Sequence, residues 1–297
     1  MKRQTRAYAA GLCAVMAWST VATAFKISLA HQSPALLVLY ASAFSLMAQL
    51  SILAWQRRLG DYTAALRTHW KRSLCLGCIN PSLYYLVLFH AYALLPAQEA
   101  QAINYTWALT MTLLAIPFLG QRLRGCDAIA AAVCYVGVLV IATHGALSAM
   151  HFQNPVGVGL ALISTVLWAA YWLCNTKDTR DPVIGLALNF TLSLPVTFAW
   201  CALSGDLQSV PWQGIAGAAY VGAFEMGFTF VLWLYAMKLT DSTAKIANLI
   251  FLSPVVSLFL IHQVLGEPVL PSTGVGLSLI LAGLVLQKIP YKFSLMR

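Results

Sequence analysis

Charge is scarce in this chain. Only 9% of its 297 residues are Asp, Glu, Lys or Arg, where a soluble domain carries about 25%. A water-facing surface cannot be built from so little charge. The rest of the composition agrees: 60% of residues are hydrophobic and the mean hydropathy is +0.76. The solvent around most of the chain is therefore lipid. The sequence also has no nucleotide-binding loop, no metal triad and no nucleophile elbow. No cofactor is implied, and no ATPase unit is present to drive work. Seven cysteines fall mostly inside apolar runs. Cys75 and Cys78 form a lone C-x-x-C with no second pair or neighbouring histidines, which reads as small apolar filler.

Long apolar runs are what the chain has instead. They cover about 7–29, 35–55, 71–94, 97–119, 125–143, 156–176, 183–203, 211–237, 242–264 and 270–288. Most match the roughly 20 residues a helix needs to cross roughly 30 Å of hydrocarbon. Short alternating strands of a barrel do not look like this. The expected fold is an all-α membrane protein with ten transmembrane helices. Lys2, Arg3 and Arg6 before the first run, and Ala22-Thr23-Ala24 near its end, imitate a signal peptide. The run is long for that purpose, and its removal would spoil the repeat described below.

The net charge of +9 does not mark a nucleic-acid binder, because the basic residues sit in short loops between runs. Counting spans in pairs, one side receives Lys2, Arg3, Arg6, Arg57, Arg58, Arg67, Lys71, Arg72, Arg122, Arg124, Lys177, Arg180, Lys238, Lys245, Lys288, Lys292 and Arg297. The other side receives Lys26 alone. This asymmetry predicts both termini in the cytoplasm of a multi-pass protein of the cell inner (plasma) membrane.

The two halves are alike in chain order. Leu119-Gly120-Gln121 matches Leu265-Gly266-Glu267, and Gly137-Val138-Leu139-Val140 matches Gly283-Leu284-Val285-Leu286. Ala100 and Asn104 match Ala244 and Asn248, and Trp18 matches Trp168. Five spans per half is an odd number. The expectation is thus two inverted five-helix repeats, residues 1–145 and 146–297.

Ala244-Lys245-Ile246-Ala247-Asn248-Leu249-Ile250-Phe251-Leu252-Ser253-Pro254, followed by Leu265-Gly266-Glu267-Pro268, resembles the EamA repeat of the drug/metabolite transporter superfamily. Glu99-Ala100, Asn104-Tyr105-Thr106-Trp107 and Leu167-Trp168-Ala169-Ala170-Tyr171 resemble the aromatic amino acid exporters within it. The sequence departs from those exporters at Ala108, where they have proline, and at Gly120-Gln121, where the usual pattern is Gly-Glu. The resemblance implies ten helices in two inverted bundles around a mid-membrane cavity. It also implies export or exchange of small metabolites.

Glu225 is the most informative single residue. It lies mid-span in the eighth run, where a charged side chain costs roughly 3 kcal/mol or more. It must face a cavity or carry a proton; the readings are a proton or substrate-amine site, or a hydrogen-bonded packing residue. Glu99 opens the fourth run and either guards the cavity mouth or complements a helix dipole. Lys245 pairs with Glu225, binds a carboxylate, or snorkels to the interface, as Lys26 is expected to do. Asn104 and Asn248 occupy matching places and bond either each other's helices or substrate. Trp18, Tyr84, Tyr85, Tyr105, Trp107, Trp168 and Tyr171 sit well inside spans, so they line an aromatic cavity or pack. Pro254 is a candidate hinge.

The expected function is secondary-active export of amino acids, aromatic or neutral, by alternating access. The partners are a small-molecule substrate, the bilayer and protons as coupling ion. Other metabolites, cationic drugs and nucleotide sugars are the alternative cargoes, and a membrane-embedded enzyme the alternative class.

Overall fold

A computed structural model describes residues 3–120, 125–147, 154–175, 178–240, 246 and 248–287. Among these residues every regular element is helical. The elements are α1 (Arg3–Ser19), α2 (Val21–Leu29), α3 (Pro34–Trp55), α4 (Leu59–Gly77), α5 (Tyr84–Leu94), α6 (Ala97–Asn104), α7 (Trp107–Leu119) and α8 (Gly125–Ala142). They continue with α9 (Pro155–Asn175), α10 (Pro182–Leu203), α11 (Trp212–Tyr220), α12 (Phe228–Leu239), α13 (Leu252–Leu260) and α14 (Pro271–Gln287). Six stretches are long and apolar enough to cross a bilayer: Arg3–Leu29, Pro34–Trp55, Leu59–Leu94, Pro155–Asn175, Pro182–Leu203 and Trp212–Met237. Shorter apolar helices cover Ala128–Ala142, Leu249–Leu265 and Pro271–Leu286.

Local chemistry starts and stops these helices. Ser33 accepts the Leu36 amide and Pro34 opens the first turn of α3. Asp181 does the same for α10, accepting from Val183 and Ile184 ahead of Pro182. Both are N-caps followed by the one residue whose missing N–H costs nothing there. Gly120 and Gly266 stop their helices in the left-handed region, with φ of 67° and 69°, where a side chain would be strained. The third span begins earlier than its apolar run. Residues 59–70 look polar in sequence, yet Tyr62, Ala65 and Leu66 fall on one face and pack against Ile184 and Leu188 of α10.

The molecule is polar inside and apolar outside. Ser42, Ser45, Gln49, Ser164 and Ser193 are fully buried, while Leu203, Phe118, Phe259 and Met47 are at least 61% exposed. That inversion fits a lipid surround. The chain is a membrane protein.

The sequence halves do not pack as two separate bundles. The most extensive contacts pair α8 with α14, α1 with α12, α10 with α3 and α4, and α9 with α5 and α7. Each joins a helix before residue 146 to one after it. Inter-half contact buries the polar faces that either half alone would show to lipid. The α8–α14 pair meets through glycines of both helices. A Cβ on Gly137 would meet the Gly276 carbonyl oxygen at 2.6 Å, and one on Gly283 the Ala130 carbonyl oxygen at 2.8 Å.

Candidate functional site

Three helices are interrupted mid-course, and a fourth begins with an irregular turn. Between α4 and α5 the chain makes a π-helical turn at Cys78–Leu83, with Asn80 extended (φ −139°, ψ 118°) ahead of Pro81. Between α6 and α7 it turns at Tyr105 and Thr106. Between α11 and α12 a π-helical turn, Val221–Glu225, is followed by Gly227 at φ −118°, ψ −101°. Ahead of α13 lies a 3₁₀ turn, Asn248–Phe251. Interruptions free backbone groups that lipid cannot satisfy, so they persist only where the protein supplies partners. At the α11–α12 break α3 supplies one: Ser45 Oγ and Gln49 Nε2 donate to the Met226 carbonyl at 2.9 and 3.3 Å.

Glu225 ends one of these turns. The Tyr85 hydroxyl donates to its Oε1 at 3.1 Å, and Tyr85 is 1% exposed, so the carboxylate points inward. It nevertheless keeps partial accessible surface. An inward group with accessible surface borders space large enough for water.

Beside it stands an aromatic cluster built on Trp168 of α9. Tyr84 and Tyr171 stack on that indole with centroids 4.5 and 5.8 Å away, and Trp107 and Trp172 meet it edge-on. Trp18 does not stack on Trp168. Each packs on Phe230, at 5.6 and 6.4 Å. The two matching tryptophans are thus joined through a ring that was not singled out in sequence. Much of the Trp168 face is taken by protein rings, which leaves Trp18, Tyr105 and Trp107, all part-buried, with more surface to offer. Asn104 donates to Ser164 Oγ at 2.9 Å, across to α9 rather than into open space. The side chain of Asn248, and Lys245 altogether, lie outside the described residues. Pro254 sits in the first turn of α13, directly after the 3₁₀ turn.

A concavity lies elsewhere, at the end of the molecule away from the N-terminus. It holds about 410 Å³ and is lined by Lys26, Gln98, Glu99, His144 and Glu267, among others. Glu99 is buried and accepts from or donates to His144 Nε2 across 2.6 Å. Lys26 does not snorkel away: its Nζ donates to the Tyr92 and Leu95 carbonyls, both at 2.9 Å. Among the described residues no group of three or more His, Cys, Asp or Glu side chains could hold a metal.

At the opposite end, Asp178 takes hydrogen bonds from Arg180 at 2.6–3.0 Å, with Arg72 at 3.8 Å. Burial pushes the Asp178 carboxyl up, but the Arg180 bonds and charge outweigh it and hold it below its ordinary value. Asp181 behaves likewise: burial raises it, and the Ile184 amide and Arg58 outweigh that.

Sequence reasoning missed Ser45, Gln49, Ser164, Phe230 and His144, and read Glu267 only as part of a motif. The signal for Ser45 and Gln49 was present. Two polar residues one helical turn apart in an otherwise apolar run must face a polar partner.

An inside-out helical fold with interrupted helices is that of a membrane transporter. The profile of the EamA-like transporter family matches residues 5–143 and again 155–287. The chain belongs to that family. It is 26% identical to the "Aromatic amino acid exporter YddG" of Ancylobacter novellus over 84% of this chain and 86% of the relative. It is 27% identical to the "Probable terminal-alkyne amino-acid exporter" of Streptantibioticus cattleyicolor, over 72% and 71%. An "Uncharacterized transporter" of Archaeoglobus fulgidus is 24% identical over 90% and 93%. A solved crystal structure superposes with a TM-score of 0.65 at 22% identity, covering 96% of each chain, a likeness of fold.

Proposed function

We propose that this transporter exports amino acids, aromatic or neutral, across the cell inner membrane by secondary-active alternating access, with protons as the coupling ion. The observation that carries the reading is the Tyr85–Glu225 bond beside the Trp168 cluster. A carboxylate offers an ammonium group a partner, and rings offer it cation–π attraction and apolar surface. The exporter names of two relatives support the cargo class. In this reading Trp18, Tyr84, Tyr105, Trp107, Trp168, Tyr171, Asn104 and Asn248 surround the cargo, and Glu225 exchanges a proton.

The proposed topology is ten crossings in two inverted five-helix repeats, residues 1–145 and 146–297, with both termini cytoplasmic. The described apolar helices, with α6–α7 as one broken crossing, support that count. The α8–α14 contacts support the repeat, because adding 146 to Ala130 and Gly137 gives Gly276 and Gly283, which exchanges the two contacts. In this topology Lys26, Glu99, His144 and Glu267 mark the outer face. The helix breaks are the hinges.

Counterflow of labelled aromatic and neutral amino acids into proteoliposomes tests the cargo. No acceleration over empty liposomes for any member of the panel refutes it. Glu225→Gln should abolish dependence on a pH gradient; dependence that survives in this variant removes the coupling role.

A further inference from the structure

The turn between α5 and α6 is gripped by three other segments. Lys26 on α2 holds the Tyr92 carbonyl of α5 and the Leu95 carbonyl just beyond it. Glu267, from the turn after α13, accepts the Ala97 amide through Oε1 at 2.9 Å and the Gln98 amide through Oε2 at 3.5 Å. The Gln98 side chain answers by donating to the Pro268 carbonyl at 2.8 Å. Glu99, one residue further, meets His144 beyond α8.

The first amides of a helix lack internal partners and carry the positive end of its dipole. A cap normally comes from the residue just before the helix. That residue here is Pro96, which makes no side-chain cap bond. The cap is supplied instead by a carboxylate 170 residues away in sequence. The helix it caps has eight residues and is about 12 Å long. Its other end carries Asn104, bonded to Ser164, and runs straight into Tyr105 and Trp107 of the aromatic site.

We infer that Glu267 is a positioning residue for the cargo site. By tethering the amino end of α6 to the turn after α13, it sets where Asn104 and Tyr105 stand at the other end of the same short rod. The charge–amide bond also ties outer closure to site geometry, because any opening between the turn after α13 and the α5–α6 turn must release α6. The inference rests on the aromatic cluster being the cargo site, although the tether itself does not.

The experiment uses full-length protein with Glu267→Ala, alone and combined with Pro96→Asp, which gives α6 a local cap without the tether. Amide hydrogen exchange of residues 97–104 in Glu267→Ala should be about tenfold faster than in the native protein. Unchanged exchange overturns the inference whatever the cargo is. In counterflow, Glu267→Ala should raise the KM about fivefold or more with a smaller change in turnover. The double variant should keep the raised KM; a KM restored to the native value shows that simple capping suffices and overturns the tether. If Glu267→Ala yields no folded protein, Glu267→Gln carries the same readouts, with about threefold faster exchange expected and unchanged exchange again decisive. If native protein moves no amino acid, the cargo reading fails and the exchange test still decides the tether.

Discussion

The α8–α14 pair and the α4–α5 and α11–α12 helices solve opposite problems in one membrane. The pair is uninterrupted, and it meets through backbone where glycine lets a carbonyl approach. The others are broken; they too meet a neighbour through glycine, Gly77 against the Asn189 carbonyl and Gly222 against that of Ala41, and at the α11–α12 break Ser45 and Gln49 donate to the freed Met226 carbonyl. What separates them is the freed carbonyl: the Met226 break is held by two side-chain hydrogen bonds that can be exchanged, and the α8–α14 seam has no break to hold. The difference teaches where the proposed alternating access would find bonds to remake.

The contrast can be broken most severely at the seam. Gly137→Leu places a branched side chain where even one carbon meets a carbonyl oxygen at 2.6 Å. Overpacking against backbone on both sides cannot be relieved by a change of rotamer, so the two helices must part. The expected result is loss of the monodisperse peak in fluorescence-detected gel filtration, and a normal peak would show that the seam gives way. Trp168→Ala comes next. It removes the ring that Tyr84 and Tyr171 stack on, a loss of about 3–5 kcal/mol for a buried aromatic. Trp18→Ala, at a part-buried site, should lower the melting temperature in detergent by clearly less. Equal losses would mean the cluster is not centred on Trp168.

A smaller effect separates the two ends. At the end bearing the N-terminus, Asp178 and Asp181 are held below their ordinary values by arginine and amide partners. Groups depressed in the folded state contribute stability that is fully present above the unfolded value of about 3.9. That stability drains away as pH falls through the folded values. Thermal stability in detergent should hold from neutral pH down to about 4 and then drop. Asp178→Asn should weaken the drop, and an unaltered profile would place the acid sensitivity elsewhere. Smallest of all, Gln49→Leu removes one of two donors to Met226 while Ser45 remains. A cost of about 1 kcal/mol is expected by urea or thermal unfolding; a loss as large as that of Trp168→Ala would make Gln49 the main support of the break.

The sequence showed clearly those features that depend on solvent and on spacing along one helix. Scarce charge required lipid, and Glu225 stood out because a mid-span carboxylate is expensive. The aromatic rings could be named because they sit too deep to belong to an interfacial belt. What it hid depends on partners far away in the chain. Lys26 read as a snorkelling residue because sequence gives its distance from the end of a run, not the Tyr92 and Leu95 carbonyls 66 and 69 residues on. Glu99 read either as a guard of the cavity mouth or as a dipole partner; the structure puts it in the lining of the outer concavity against His144, while Glu267 accepts the first α6 amides. The stretch 59–70 looked like a loop because its apolar face is narrow and is completed only by α10.

The interleaving of the halves has a consequence for biogenesis. Ser45 is inserted long before the carbonyl it will hold, 181 residues downstream. At about 5–20 residues per second of synthesis, the ribosome takes roughly 10–35 s to deliver that partner. Through that interval the early helices carry hydroxyl and amide groups with no final mate. They must be sheltered by the insertion machinery or by water before they can face hydrocarbon.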